Sequence, residues 1–254
     1  MTAVELVFHD DLAEITLNRP ERKNALRGQD WSALTDAALQ VTASPARALL
    51  IRGAGDAFCS GFDIAEIEPD KTDALAIIDS LVNPALRALR DVPVPTLAAV
   101  TGACVGGGFG IAAACDITIA AESARFGAPY SNIGIMCDAG LHSFLRDTIG
   151  HQRAAFMIFT GITIPSRAAL DMGLCSDVLP DSDLQEGARA LAKRLATGPT
   201  AALRRSKHIL RHVADPDAAL DAEARLQAEV FATEDAREGI SAFLSGRRPT
   251  FTGR

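Results

Sequence analysis

The segment from residue 101 to 117 (TGACVGGGFGIAAACDI) places the tightest constraint on how this chain can fold. It follows the apolar run 96–100, which predicts a buried strand, and it carries Gly106, Gly107, Gly108 and Gly110 before a stretch of small residues. A strand, a glycine turn and a helix start leave several backbone N–H groups unpaired, and these groups lie at the positive end of the helix dipole. The segment is therefore predicted to hold an anion or a developing negative charge.

Three interpretations of these glycines compete. The dinucleotide-binding pattern G-x-G-x-x-G would need glycine where Ile111 stands, and no Gly-Lys-Ser/Thr follows as a phosphate loop would need. Close packing of a helix on a sheet explains the glycines as well as an oxyanion hole does, because a missing Cβ serves both purposes. An oxyanion hole also needs a second N–H donor from elsewhere in the chain.

Length and charge exclude several classes of protein. The chain has 254 residues and a formal net charge of −7, with no cluster of Lys or Arg. This argues against nucleic acid or an anionic membrane surface as a partner. The first residues lack a basic-then-apolar pattern, and no run approaches the roughly 18 apolar residues of a membrane span. We therefore expect neither a signal peptide nor a membrane segment.

The five cysteines point to a reducing compartment. Their number is odd and none forms a C-x-x-C pair, so reduced thiols in a cytoplasmic protein are the simplest interpretation. Cys137 lies five residues before His142, which leaves a thiol nucleophile open as an alternative.

Hydrophobic spacing predicts an α/β fold with two parts. The N-terminal part repeats strand, strand, helix, beginning with a hairpin over residues 4–8 and 12–17, and this order favours stacked ββα units over one doubly wound sheet. The part after residue 139 is mostly helical, with helices predicted over residues 141–149, 153–160, 166–172, 184–196, 200–214 and 217–244, and one strand over 174–179. We expect a core domain over residues 1–195 and a helical oligomerisation region over residues 196–254.

A second glycine turn occurs about 45 residues before the first, again after a predicted buried strand. It comprises residues 60–63 (SGFD), in which Asp63 is expected to cap a short helix. Two convergent backbone N–H groups are what an oxyanion hole requires. The second turn therefore supplies the partner that the first one lacks.

Several separated motifs occur in one order along nearly the whole chain. They are residues 17–20 (LNRP) with 23–26 (KNAL), 57–63 (AFCSGFD), 95–110, 115–117 (CDI), 124–127 (ARFG) and 237–244 (REGISAFL). In this order they resemble the crotonase, or enoyl-CoA hydratase/isomerase, family. The resemblance implies a spiral of ββα units and a helical C-terminal region that builds trimers, often paired into hexamers.

The resemblance also implies an acyl-CoA thioester as ligand, with no separate cofactor and no metal. By position, the backbone N–H groups of Phe62 and Gly107 would form the oxyanion hole. Residues expected to contact CoA are Arg22, Lys23, Ala25, Gly61, Asp63 and Ile64, with Phe243 from a neighbouring subunit. The family often has a lysine three residues after that phenylalanine, whereas this chain has Gly246 followed by Arg247.

The hydratases of the family use two glutamates, and this chain has neither. Gly110 stands at the first position and Tyr130, after Phe-Gly-Ala-Pro, at the second. Glycine has no acid–base group and tyrosine is a poor base at neutral pH. Ordinary hydration is therefore not expected.

Asp138 is the carboxylate that this chain offers instead. Taken alone it is best explained as the N-cap of the helix predicted after it. In the family, enoyl-CoA and dienoyl-CoA isomerases place their acid–base residue here, as does the oxepin-forming ring-epoxide isomerase of phenylacetate breakdown, which the chain also resembles at Asn83–Pro84 and residues 247–253. The 4-halobenzoyl-CoA dehalogenases put a nucleophilic Asp there but pair it with a His, and Asn83 occupies that position.

These observations lead to one hypothesis with three alternatives. Asp138, with its pKa raised by the apolar Ile135, Met136 and Leu141, moves a proton between two carbons of an enoyl-CoA while the oxyanion hole holds a dienolate. The acyl end of the pocket is expected to be lined by Tyr130, Asn132, Met136 and His142. The alternatives are a family lyase or hydrolase with another acid or base such as His142, an acyl-CoA-binding member without catalysis, and a serine hydrolase using Ser60.

Overall fold

A computed structural model describes residues 2–254 as two sheets surrounded by helices. The larger sheet has six strands in the order β1-β2-β3-β4-β6-β9, and the smaller has three in the order β5-β7-β8. The strands are β1 (Val4–His9), β2 (Leu12–Leu17), β3 (Ala48–Gly53), β4 (Thr96–Val100), β5 (Ala103–Val105), β6 (Ile117–Ala121), β7 (Arg125–Gly127), β8 (Thr163–Pro165) and β9 (Asp177–Leu179).

The helices follow the strands in the predicted ββα order. They are α1 (Gly28–Ala43), α2 (Ala74–Ile77), α3 (Asn83–Arg90), α4 (Gly107–Ala114), α5 (Leu141–Thr160), α6 (Ser166–Asp171), α7 (Leu184–Ala196), α8 (Thr200–His212), α9 (Pro216–Phe231) and α10 (Glu234–Leu244). The pair β4 and β5 precedes α4, with β4 in the larger sheet and β5 in the smaller. The expected α/β class with stacked ββα units is confirmed.

Both faces of the larger sheet are covered, which explains why its central strands are apolar throughout. In β3, Leu49 and Ile51 face a core shared with α1, α3 and α4, while Ala48 and Leu50 face a second core against α7. The alternation follows from the two-residue period of a strand. Apart from the antiparallel β1–β2 hairpin, the strands of this sheet run parallel, as expected for a sheet buried on both faces.

Two predicted elements, the last helix and the strand over residues 174–179, have different bounds. The helix predicted over 217–244 is two helices, because Thr233 accepts a hydrogen bond from Ala236 N and starts α10. The segment after Asp73 continues into α3 through a π-helical turn, Ile78–Val82. The strand predicted over 174–179 is shorter, since only Asp177–Leu179 pairs with β6. The break predicted near residue 150 is present, as Gly150 leaves helical geometry with φ 78°.

The helices after residue 195 pack on the core through a buried charged group. Lys207 on α8 is 8% exposed, and its ammonium lies 2.9 Å from Val94 O and 2.7 Å from an Asp116 carboxylate oxygen. The same region exposes large apolar side chains, among them Leu210, Phe243 and Leu244. The division at residue 195 and the role of this region in oligomerisation stay predictions.

Nowhere in residues 2–254 is a helix both long and apolar enough to span a membrane.

Candidate active site

The two glycine turns meet in the structure, as predicted. A Cβ on Gly61 would lie 2.8 Å from Gly107 N, and Gly61 has φ +93°, so only glycine fits there without strain. The segments behind the turns are paired, because Cys59 and Cys104 form a parallel bridge and Val105 N donates to Cys59 O at 3.1 Å. A Cβ on Gly108 would in turn lie 2.1 Å from Cys59 O. Sheet pairing therefore brings the turns together.

Each turn presents at least one unused N–H group. Leu26 N donates to Gly61 O and Asp63 N donates to Leu26 O, both at 2.8 Å. Because successive N–H groups of an extended segment point to opposite sides, Phe62 N–H points away from Leu26. Gly107 is the first residue of α4, where an N–H has no partner within the helix. Neither group donates to an acceptor within residues 2–254.

The loop before Leu26 lies against the first turn and carries the other expected CoA contacts. Ser60 N donates to Lys23 O at 3.0 Å, and Lys23 itself has a left-handed φ of 49°. The Arg22 guanidinium lies 3.5 Å from Asp63 and is half exposed. Arg22, Lys23 and Ala25 are therefore brought beside residues 60–64, as the CoA prediction requires.

Asp63 is used within the protein. Its carboxylate accepts from Arg19 at 3.0 Å and from Ala65 N at 3.3 Å, which confirms the expected cap. Burial has the largest single effect and would raise the pKa of Asp63, but the hydrogen bonds from Arg19 and Ala65 N, together with the charges of Arg19 and Arg22, outweigh it and leave the pKa below its usual range. The backbone of Asp63 is used as well, since its N–H donates to Leu26 O and its carbonyl accepts from Glu66 N, so its expected contact with CoA stays a prediction. Ile64 beside it is exposed.

Asp138 is not the cap of the helix that follows it. Helix α5 is preceded by Gly140, which has φ +75°, and no side chain caps its first turn. The Asp138 carboxylate instead accepts a hydrogen bond from the Tyr130 hydroxyl at 2.5 Å. The interpretation favoured from the isolated sequence is wrong, because the left-handed Ala139 and Gly140 turn the chain away before the helix begins.

Burial has the largest effect on the pKa of Asp138. Removal from water raises the pKa of its carboxyl group, while the Tyr130 hydrogen bond and the charge of His142 act in the opposite direction without cancelling it. The direction agrees with the expectation, although two of the apolar residues expected to cause it, Ile135 and Met136, are largely exposed. A half-buried carboxylate with a raised pKa is a suitable general base.

Gly110 cannot carry a side chain in this structure. A Cβ there would lie 2.6 Å from both the Cβ and the carbonyl oxygen of Ala139. The backbone next to Asp138 thus fills the space in which the first hydratase glutamate would begin.

The residues expected to line the acyl end are only partly brought together. Tyr130 is buried and contacts Asp138, whereas the Asn132 amide donates to Gly161 O at 3.3 Å. Met136 and His142 are exposed, and Phe243 on α10 is 84% exposed. Whether any of these side chains contacts substrate or a second subunit stays a prediction.

Two alternative nucleophiles lose support. Burial raises the pKa of the Cys137 thiol to about 12, so the thiolate is scarce at neutral pH. The Ser60 hydroxyl lies 3.4 Å from the backbone carbonyl of Arg22 and donates to no base within residues 2–254.

Three residues that shape the candidate site were not identified from the sequence. Arg19 donates to Ala25 O at 2.6 Å as well as to Asp63, and so ties the two CoA segments together. The Trp31 ring packs behind the second turn, since a Cβ on Gly107 would lie 2.9 Å from its Cζ2 atom. Ala139 packs on Gly110. The LNRP motif signalled Arg19, but neither Trp31 nor Ala139 carried a signal in the sequence.

Comparison with known proteins identifies the fold and the family. A crystal structure of enoyl-CoA hydratase from Bacillus anthracis superimposes with a TM-score of 0.92 at 28% identity, covering 99% of this chain and 100% of that one. This places the chain in the class of crotonase-fold α/β proteins. Residues 8–254 match the enoyl-CoA hydratase/isomerase family model, and the chain belongs to that family of enzymes.

Curated relatives span the whole length. A "probable enoyl-CoA hydratase" of Rhodobacter capsulatus is 40% identical, with 96% of each chain covered. A 1,2-epoxyphenylacetyl-CoA isomerase of Escherichia coli is 35% identical, with 94% of each covered. Most such names say hydratase, so the names do not decide between the two reactions.

Proposed function

We propose that this protein is an enoyl-CoA isomerase in which Asp138 shifts a double bond by moving one proton. The observation that carries the proposal is the hydrogen bond from Tyr130 to Asp138, which holds the carboxylate near the start of α4. The Tyr130 hydroxyl lies 3.7 Å from the point that a Gly106 Cβ would occupy, one residue before the proposed oxyanion donor.

The proposed reaction begins with the thioester carbonyl oxygen between Phe62 N–H and Gly107 N–H. Asp138 removes a proton from the carbon next to the thioester, and the negative charge spreads to the carbonyl oxygen as a dienolate. The same carboxyl group returns the proton at the far carbon of the former double bond. One acid–base group is enough because no atom is added or lost, and no cofactor beyond the CoA of the substrate is needed.

Two effects would supply most of the acceleration. A positioned general base contributes about 10²–10⁴-fold. Each preorganised oxyanion donor is worth about 10²–10³ in kcat. Both proposed donors are backbone groups fixed by sheet pairing and by a helix start, so they need little reorganisation when charge develops.

The surroundings of Gly110 favour isomerisation over hydration. Hydration adds a water at one carbon and a proton at another, and the family hydratases use two carboxylates for this. Here Ala139 fills the space at Gly110, and Tyr130 replaces the second glutamate.

The CoA part of the substrate is proposed to lie along residues 22–25 and 61–64. Arg22 and Lys23 are exposed cations beside the first turn, which suits the phosphates of CoA. The acyl chain would extend from the oxyanion hole past Asp138 toward Met136 and His142. We also propose a homotrimer or a hexamer of paired trimers, supported by the exposed apolar side chains of α8 and α10.

Hydration remains the second candidate because most named relatives are hydratases. A member that binds acyl-CoA without catalysis is the third. The first two reactions are distinguished by following 2-enoyl-CoA and 3-enoyl-CoA separately, since hydration removes the conjugated double bond and isomerisation of a 3-enoyl ester creates it. Calorimetric titration with a CoA ester, together with absence of turnover, would identify a binder.

The decisive variant is Asp138→Asn, with Asp147→Asn as its control. Asp147 is a largely exposed carboxylate on α5 that pairs with Arg146 at 2.8 Å. We expect Asp138→Asn to lower kcat for a 3-enoyl-CoA by at least about 10²-fold while CoA-ester binding persists, and Asp147→Asn to keep parental activity. Full isomerase activity in Asp138→Asn would show that the assignment is wrong.

A further inference from the structure

Tyr130 has a contact that an acyl-pocket wall would not need. It lies in the 3-10 turn Pro129–Ile133 after β7, its ring is buried, and its hydroxyl donates to Asp138 Oδ1 at 2.5 Å. Its backbone carbonyl also accepts from Ile135 N at 3.2 Å, which closes the loop leading to Asp138. The residue thus holds Asp138 through its side chain and shapes the same loop through its backbone.

The direction of this hydrogen bond is determined by chemistry. An ionised carboxylate can only accept, so the phenol must donate. Burial, followed by the charge of Asp138, raises the pKa of Tyr130 further above its usual value. The phenol therefore keeps its proton over the whole neutral range and remains a donor whenever Asp138 is ionised.

The second carboxylate oxygen, Oδ2, is left for the substrate. It accepts no hydrogen bond from any group in residues 2–254, whereas Oδ1 is held by Tyr130. A short hydrogen bond to one oxygen restricts rotation of the carboxylate about its last bond, which aims the other oxygen. The same bond opposes the rise in the pKa of Asp138 that burial causes.

We propose that Tyr130 is a positioning residue for proton transfer, which holds Oδ1 of Asp138 so that Oδ2 faces the substrate as an ionised base. The inference rests on the proposed function of Asp138. Tyr130 stands where the family hydratases have their second glutamate. Its proposed role there is to orient Asp138, and it does not exchange a proton with the substrate.

The kinetic test is Tyr130→Phe, which removes the hydroxyl and keeps the buried ring. We expect kcat for a 3-enoyl-CoA to fall about tenfold at pH 7, the size of one hydrogen bond to a charged group, with KM within about twofold of the parent. The acid limb of the pH profile should move to higher pH, because the base loses a donor that favours its ionised form. A residue that only fills space would leave this limb where it is.

A spectroscopic test does not depend on how well that variant folds. The chain contains one tyrosine, so biosynthetic replacement of tyrosine by 3-fluorotyrosine labels Tyr130 alone. The fluorine NMR signal of the labelled, otherwise unaltered protein should show a pH-dependent step as Asp138 ionises. The step should be absent in labelled Asp138→Asn and present in labelled Asp147→Asn.

The outcomes separate the two claims. If Asp138→Asn keeps full activity, the proposed function fails, whatever the fluorine signal does. If Asp138→Asn is inactive while Tyr130→Phe keeps the parental kcat and pH profile, the proposed function stands and the positioning role is overturned. A fluorine signal without a step that depends on Asp138 also overturns the positioning role.

Discussion

Gly110 and Ala139 approach so closely that a Cβ on the glycine would lie 2.6 Å from the Cβ of the alanine. Gly110 lies in α4, beside the proposed oxyanion donor, and Ala139 follows the proposed base. The contact therefore sets the distance between the two chemical halves of the site. The packing at Gly110 therefore leaves no room for the glutamate that the family hydratases have at this position.

We expect Gly110→Ala to disturb the position of Asp138. Alanine normally stabilises a helix interior by about 1 kcal/mol relative to glycine, but overpacking against Ala139 should cost about 1–3 kcal/mol. The net result should be a lower melting temperature together with lower isomerase activity. The measurements are thermal unfolding and kcat on a 3-enoyl-CoA.

Gly239→Ala on α10 is the control for this substitution. Its Cβ would meet only the ring of Phe251, at 3.3 Å, and that side chain can shift. Activity should be unchanged there. An active and fully stable Gly110→Ala variant would contradict the role given to the contact.

Gly61→Ala is expected to damage the oxyanion hole. Its φ of +93° disfavours alanine, and the new Cβ would lie 2.8 Å from Gly107 N, so the two donors must separate. Loss of one donor should reduce kcat by about 10²–10³-fold. The change is measured by steady-state kinetics with CoA-ester binding checked by calorimetry.

Gly246→Ala separates this effect from backbone strain alone. Gly246 is also left-handed, with φ +65°, but a Cβ there would meet nothing within 4 Å. Both variants should lose stability by about 1–2 kcal/mol from the left-handed conformation, yet only Gly61→Ala should lose activity. Equal activity in the two variants would argue against an oxyanion hole at this position.

The difference in stability between Asp138→Asn and the parent should depend on pH. Burial raises the pKa of Asp138 in the folded chain, so the folded state binds that proton more tightly than the unfolded state does. Stability is therefore lost as the pH rises from the unfolded value, about 3.9, through the folded one, and the loss is complete above it. Removing the carboxylate removes this penalty.

We accordingly expect Asp138→Asn to melt at a higher temperature than the parent at pH 7, with a difference that shrinks as the pH approaches 4. Circular dichroism melts over this range measure it. Asp147→Asn, at an exposed site, should show no such trend. A lower melting temperature for Asp138→Asn at pH 7 would mean that the Tyr130 and His142 interactions outweigh burial.

Helix ends illustrate where local sequence signals succeed. The break at Gly150 and the cap at Asp63 were both predictable, because glycine permits φ > 0 and aspartate accepts from nearby N–H groups. The break before α10 was missed, since Thr233 is an ordinary capping residue within a continuous helical pattern. Asp138 was interpreted from the isolated sequence as a cap because aspartate accepts from nearby N–H groups. In that case the local signal was misleading, since Asp138 accepts from Tyr130 instead.

The sequence by itself determined the stacked ββα order, the two glycine turns and the position of a carboxylate at residue 138, because hydrophobic period and backbone permissiveness are local properties. Only the tertiary structure decided that the two turns meet, that Tyr130 donates to Asp138, and that Ala139 fills the space at Gly110. These are contacts between segments 8 to 46 residues apart in the chain. Their existence depends on sheet pairing and on the left-handed turn before α5, which no local pattern specifies.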